Sequence, residues 1–408
     1  MATVAQPAPS LMRSPFRKLW LAQFVSVFGD FLALFGVISL ITFRWHGTPV
    51  QITWVMLSFM LPMAVVSPPA GVFVDRWNVK KLMIASDLIR ALLISGLIFA
   101  TNVYQICAIF AVLSAVSSFF APAQSVALRT LVPAENLLAA NAMMSQAFYA
   151  VRILSPAAAG ALVAWLTEKA CFYVDTASFL FSAAMLSTLL IARPPSENRG
   201  KSLRALTEDL VAGNKFIFTH PGLAFVLTAM AMAMLVMSAF APLISIYVRD
   251  SLSAGSFLYG MISSMVGVGL IVGTQLLTRA AANIPRTAVV LYGLLGLGVG
   301  AALLGLFANI VMAAAGTFAM GFAIAFIIVP AQTMSQQETP RDMMGRVSGS
   351  FMSLVALSQA VGMLFSGYLA HLLGLRPLFV ACAVVLALMA GTGYLIVSKR
   401  TPEPAPGI

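Results

Sequence analysis

Charge is the scarcest thing in this chain. Of 408 residues, only 9% are Asp, Glu, Lys or Arg, against about 25% in an average soluble domain. With 60% apolar residues and a mean hydropathy of +0.95, that scarcity excludes an ordinary soluble globule, a disordered chain and a nucleic-acid-binding module. Cysteine is nearly absent too. Cys107, Cys171 and Cys382 lie far apart in apolar surroundings, with no CxxC or Cys/His cluster, so neither a structural zinc site nor a disulfide framework is expected. The three histidines, His46, His220 and His371, fall in or near loops. No Walker A sequence appears, which argues against direct use of ATP. No paired catalytic groups gather at one membrane face. The expectation is therefore no enzyme, no cofactor and no metal.

What is abundant is apolar sequence in long runs. Twelve membrane helices of about 20 residues need roughly 240 apolar residues, close to what the composition supplies. Apolar segments fall at about 19–42, 51–74, 82–101, 103–126, 142–166, 170–192, 223–247, 257–278, 288–307, 309–332, 347–373 and 377–398. They are too long for buried strands, and a bilayer admits only helices or closed barrels. The first segment runs past 20 residues without a cleavage-like end, so it reads as a membrane helix rather than a signal peptide. The net charge of +11 then reports topology. With the N-terminus inside, all but six of the 24 Lys and Arg residues fall on the cytoplasmic side. Only Arg44, Lys169, Arg249 and Arg376 fall outside, and Arg90 and Arg152 lie within helices. This imbalance predicts both termini in the cytoplasm.

The chain divides as a tail (1–18), a six-helix bundle (19–192), a polar linker (193–222), a second six-helix bundle (223–398) and a tail (399–408). In the linker, "LRALTEDLVAGNKFIF" has amphipathic spacing and is expected to lie on the inner membrane surface. The halves resemble each other. Pro122-Ala-Gln124 matches Pro330-Ala-Gln332, Pro133 and Glu135 match Pro340 and Asp342, Gly160 matches Gly367, and Arg152 falls on Gln359. A duplicated six-helix unit is the architecture of a two-bundle transporter. The fold class is thus an all-α membrane protein of twelve transmembrane helices in two pseudo-symmetric bundles.

Between the second and third segments stands "GVFVDRWNVKK", residues 71–81. A positive-inside loop explains its bases but not Gly71 or Asp75. Gly71, Asp75, Arg76, Lys80 and Lys81 resemble the loop signature G-x-x-x-D-R-x-x-[RK]-[RK] of the major facilitator superfamily. The resemblance implies that Gly71 lets two helices approach. It implies that Asp75 meets the N-terminal end of the eleventh helix, where an anion is favoured. It further implies that the bases tie neighbouring helix ends, in a latch that holds outward-open and breaks on inward opening. The equivalent "GTQLLTRAAANIPR" keeps Gly273, Arg279 and Arg286 but lacks the acid. "DLIR" at 87–90, "FFAPAQSVALRTLVPAENLLAANA" at 119–142 and "MMGRVSG" at 343–349 are similar to the drug:proton antiporter branch with macrolide-efflux and enterobactin-exporter types. That branch also holds lysophospholipid transporters. The implied function is proton-coupled export of a small amphipathic compound by a monomer in a bacterial inner membrane. A lysophospholipid or siderophore exporter is the alternative, and a receptor or enzyme scaffold lies further off.

Three acids lie clearly inside predicted helices: Asp30, Asp87 and Asp175. A central Asp costs about 2.5–3.5 kcal/mol on insertion scales, so each needs a partner or a task. Asp30 lies near the midplane. It reads as a proton-coupling or substrate-contacting carboxylate, as half of an ion pair with Arg152, or as the cap of a helix break. Arg152, three residues before Ser155-Pro156, reads equally as a ligand for an anionic group or as the partner of Asp30. Asp87 and Arg90 can pair at i, i+3 and are expected to join a network with the signature loop. Asp175, near the outer end, is expected to anchor. Met230, Met232, Met234 and Met237 are read as packing rather than a pocket, and "GVGLIVG" at 267–273 as helix packing rather than a nucleotide loop.

Overall fold

A computed structural model describes residues 11–74, 77–191, 211–212, 214–280, 284–340 and 343–398. Among these residues there is no β-strand, and twelve helices have 19 residues or more. They are α1 (Phe16–Ser39), α2 (Pro49–Val74), α3 (Val79–Leu97), α4 (Val103–Leu131), α5 (Leu137–Trp165), α6 (Glu168–Ser187), α7 (Pro221–Asp250), α8 (Ser256–Ala280), α9 (Arg286–Leu306), α10 (Ile310–Glu338), α11 (Met344–Leu373) and α12 (Leu375–Ser398). A π-helical turn, Leu40–Arg44, prolongs α1.

Every expected segment is one of these helices. Several helices overrun the apolar window that announces them: α4 continues to Leu131 and α10 to Glu338. The window marks the hydrocarbon layer, while the helices run on into the polar interface. Side-chain caps set three of the starts. Asn78, Asn102 and Asn309 accept the backbone N–H of Lys81, Gln105 and Val311 at the heads of α3, α4 and α10, which relieves donors that a helix start leaves without partners. Among the described residues, eleven helices are long and apolar enough to cross a membrane. The exception is α3. Its 19 residues span about 28 Å but include Lys80, Lys81, Asp87 and Arg90.

The chain forms two compact units, Met1–Gly47 with Trp54–Gly200, and Thr48–Thr53 with Lys201–Ile408. In the first, α1 packs on α5 and α6, and α3 packs on α4 and α6. In the second, α7 packs on α10 and α11, α9 on α10 and α12, and α8 on α10. The duplication shows in the element starts. Pro49, Val79, Val103, Leu137 and Glu168 open their helices 207 residues before Ser256, Arg286, Ile310, Met344 and Leu375. Leu92, Phe99, Tyr104 and Trp165 are largely exposed, an outward apolar surface suited to lipid. Most of the expected amphipathic linker lies outside the described residues; residues 211–212 and 214–219 are helical.

The second unit packs by glycine. A Cβ on Gly321 of α10 would overlap the carbonyl oxygen of Val266 on α8, and one on Gly269 would overlap the carbonyl of Phe318. Gly273 abuts the backbone of Phe322. The "GVGLIVG" run is thus a helix-packing surface, where backbones meet without side chains between them. Met230 and Met234 are buried, and Gln359 Nε2 approaches Met234 Sδ at 3.5 Å, so these two methionines pack within the unit. Gly321→Ala is expected to destabilise the protein by about 1–3 kcal/mol, the usual penalty of overpacking. Gly391→Ala, which meets nothing within 4 Å, is expected not to. Thermal unfolding of the purified variants checks the pair, and equal melting temperatures would refute this account of the α8–α10 contact.

Candidate functional site

A buried charge cluster occupies the first unit, built from α1, α3 and α6. Its centre is Arg90 on α3, whose side chain is 5% exposed. The guanidinium lies between two rings, 4.5 Å from the centroid of Phe120 on α4 and 4.4 Å from that of Phe179 on α6. Each such stack contributes about 0.5–2 kcal/mol. One helical turn before Arg90, Asp87 accepts a hydrogen bond from Nη2. The side chain of Asp87 is wholly buried. Asp30 on α1 approaches Nη1 at 4.0 Å and is 35% exposed. Alone among the cluster's carboxyls it reaches accessible space.

The third carboxyl is Asp175 on α6, also wholly buried. Ser178 donates to its Oδ1 at 3.0 Å, while Oδ2 has no hydrogen-bond partner. Asp175 sits against Gly29, where a Cβ would overlap both Asp175 Oδ1 and Ser178 Oγ. The neighbour of Gly29 in the chain is Asp30. One glycine therefore brings α1 and α6 close enough to place two carboxyls in electrostatic reach of each other.

These positions correct two expectations. Asp30 pairs with Arg90 and makes no ion pair with Arg152. Sequence spacing cannot say which face of α3 meets α1. Arg90 and Asp87 form the centre of a membrane-embedded cluster, with the Arg90 side chain held between α4 and α6; their expected link to the signature loop falls on Asp75 and Arg76, outside the described residues. Asp175 is no outer anchor but a member of the cluster. Gly29, in the "SVFGD" flank of Asp30, is the sequence feature that signals this close approach of α1, but it does not say which helix comes near.

Beside the cluster, α1, α4 and α5 line a cavity of about 250 Å³ with Gln23, Phe24, Val27, Gln124, Met144, Ser145, Ala147, Phe148 and Tyr149. Amide groups and aromatic rings alternate on its wall. Gln23 Oε1 is buried without a hydrogen-bond partner, and Phe148 packs edge-on to Phe31 at 6.0 Å. Asp30 stands one helical turn past Val27 on α1, and Arg152 one turn past Phe148 on α5, so both follow the cavity wall along its helices. Arg152 is exposed beside Tyr149, with no ion pair among the described residues. The cavity residues carry little sequence signal beyond Gln23 and Gln124, two amides inside apolar helices.

Of the signature loop, Asp75 and Arg76 lie outside the described residues. Gly71 stands in the last turn of α2, and Lys80 and Lys81 in the first turn of α3. Lys80 Nζ donates to the carbonyl of Ser187 at 2.6 Å, and Lys18 Nζ to Thr188 Oγ1 at 3.0 Å. Two ammonium groups thus meet the C-terminal end of α6, where a helix dipole favours cations.

A family model described as Major Facilitator Superfamily matches the chain twice, over residues 19–239 and 226–407. An uncharacterized MFS-type transporter of Bacillus subtilis, YfiS, is 30% identical over 393 residues, covering 93% of this chain and 92% of that protein. Macrolide efflux protein A of Streptococcus pyogenes is 25% identical, covering 92% of this chain and 94% of that protein. A crystal structure of a bacterial homologue of the human lysosomal transporter Spinster, inward-facing and unoccupied, superposes with a TM-score of 0.76 at 14% identity, covering 98% of this chain and all of the other. The twofold family match, the full-length relatives and the paired six-helix units agree: the chain belongs to the major facilitator superfamily, as a multi-pass membrane transporter of small molecules and not an enzyme.

Proposed function

We propose that the protein exports small amphipathic compounds across a bacterial inner membrane, in exchange for protons, by alternating access. The observation that carries this reading is the graded exposure of the carboxyl cluster: Asp30 is 35% exposed while Asp87 is wholly buried on Arg90. A coupling group must exchange protons with water and feel the substrate site at once. Asp30 meets both demands, at the rim of the cluster and one turn from the cavity. The cavity wall suits an amphipathic ligand, with Phe24, Phe148 and Tyr149 for apolar rings and Gln23 and Gln124 for polar groups. Arg152 extends the wall with a cation. The similarity to a macrolide efflux protein supports the direction of transport.

In this scheme, protonation of Asp30 neutralises the outer partner of Arg90. Arg90 stays in place because Asp87 and the two rings still hold it. Substrate binding and proton binding then exclude each other through the charge at the rim. One charge crossing 100 mV supplies about 2.3 kcal/mol, or about a fifty-fold gradient, which is enough to drive export without a nucleotide.

Two outcomes follow. Asp30→Asn is expected to keep binding and exchange in proteoliposomes but to lose uphill export and the substrate-driven pH change. Full proton-driven export by that variant would move the coupling site elsewhere. In a background with Cys107, Cys171 and Cys382 replaced, a cysteine at position 201 is expected to be labelled only from the cytoplasm, and one at position 169 only from outside. Outside labelling at 201 would reverse the orientation.

A further inference from the structure

The cluster holds three carboxyls and one guanidinium, and their partners are unequally divided. Asp87 takes the hydrogen bond from Arg90. Asp30 takes the longer contact at 4.0 Å. Asp175 has no ion pair within 4 Å among the described residues, and one of its oxygens has no hydrogen bond. It is wholly buried. Were all three carboxyls ionised, the cluster would carry two uncompensated negative charges inside a bilayer. An uncompensated buried charge is strongly destabilising. Protons must therefore reside in the cluster, and Asp175, farthest from compensation, is where one would rest.

We infer that Asp175 is the inner proton-holding group behind Asp30, receiving across Gly29 the proton that Asp30 takes from water. The step balances simply. The O–H bond of the Asp30 carboxylic acid breaks, an O–H bond forms on the Asp175 carboxylate, and Asp30 is left as the carboxylate that faces Arg90. The transfer leaves the total charge of the cluster unchanged and moves the uncompensated negative charge from buried Asp175 to Asp30, which faces Arg90. Asp87 and Asp175 each keep one oxygen without a hydrogen bond, but Asp87 is ion-paired with the guanidinium and Asp175 has no ion pair among the described residues, so the geometry favours Asp175 as the receiver. Asp30 from α1, Asp87 and Arg90 from α3, and Ser178 and Cys171 from its own helix face Asp175. Holding the proton at Asp175 separates it from the substrate cavity, which frees Asp30 to respond to the ligand.

This inference rests on the coupling role of Asp30 proposed above, and infrared difference spectroscopy after a pH jump, on the full chain in lipid nanodiscs, separates the two. The wild-type protein is expected to show two titrating carboxylic-acid bands from the cluster. Asp30→Asn should remove one and slow the appearance of the other at least tenfold. Asp175→Asn should remove the second and lower the ratio of uphill to downhill transport at least tenfold. Ser178→Ala, a smaller change, should shift only the second band, because it deletes the hydroxyl bound to Asp175. An Asp175→Asn spectrum identical to wild type, or a second band unmoved by Ser178→Ala, would overturn the inference. A second band that forms at the wild-type rate in Asp30→Asn would overturn the relay. Loss of no band in Asp30→Asn would instead overturn the coupling role of Asp30.

Discussion

Everything in the first unit is arranged around one guanidinium kept out of water. Arg90 is 5% exposed, buried among apolar helices of the first unit, and such a charge persists there only if several elements hold it together. Four do so. α3 supplies Asp87 from the turn below, α4 and α6 supply the faces of Phe120 and Phe179, and α1 supplies Asp30. Moving any of these helices disturbs the same ion, so the cluster ties α1, α3, α4 and α6 into one body. A bundle that works by alternating access needs such a body, because the helices of a unit must move together. The same cluster leaves a carboxyl at its edge, where protonation changes the charge without releasing the guanidinium. Under the proposed coupling role of Asp30, rigidity and sensitivity to protons come from one arrangement.

Much of this was legible in the chain. The apolar windows located all twelve helices because the hydrocarbon layer imposes their length and composition, and the 207-residue register showed faintly in Pro133 against Pro340 and Gly160 against Gly367. Asp30 stood out as an acid at mid-depth, and Asp87 with Arg90 as an i, i+3 pair. What one-dimensional spacing lacks is the azimuth of each helix. Nothing in the residues around Asp30 says that it faces Arg90 rather than Arg152, since both lie at compatible depths on other helices. Asp175 was misplaced for the same reason. It was read as an anchor near the outer end, and only the packing of α6 on α1 puts it against Gly29. The cavity is harder still, because Phe24, Met144 and Phe148 are ordinary residues of apolar helices until packing turns them toward a common space.

The second unit shows what the cluster is not needed for. At the 207-residue register that relates the helix starts, Asp30, Asp87, Arg90 and Asp175 fall on Met237, Leu294, Leu297 and Cys382, and Arg152 falls on Gln359. Leu294 and Leu297 are fully buried, so the corresponding helix of the second unit sits in an apolar core. That unit joins its helices by close backbone contact, through Gly269, Gly273 and Gly321 between α8 and α10, and through Gly300 and Gly316 between α9 and α10. A six-helix unit of this family therefore packs without any ion at these positions. Since each buried charge costs about 2.5–3.5 kcal/mol at mid-depth, the cluster in the first unit is an expense that packing does not require. Its presence on one side of the duplication, beside a cavity and with one carboxyl reaching accessible space, is what turns a structural curiosity into an argument for coupling.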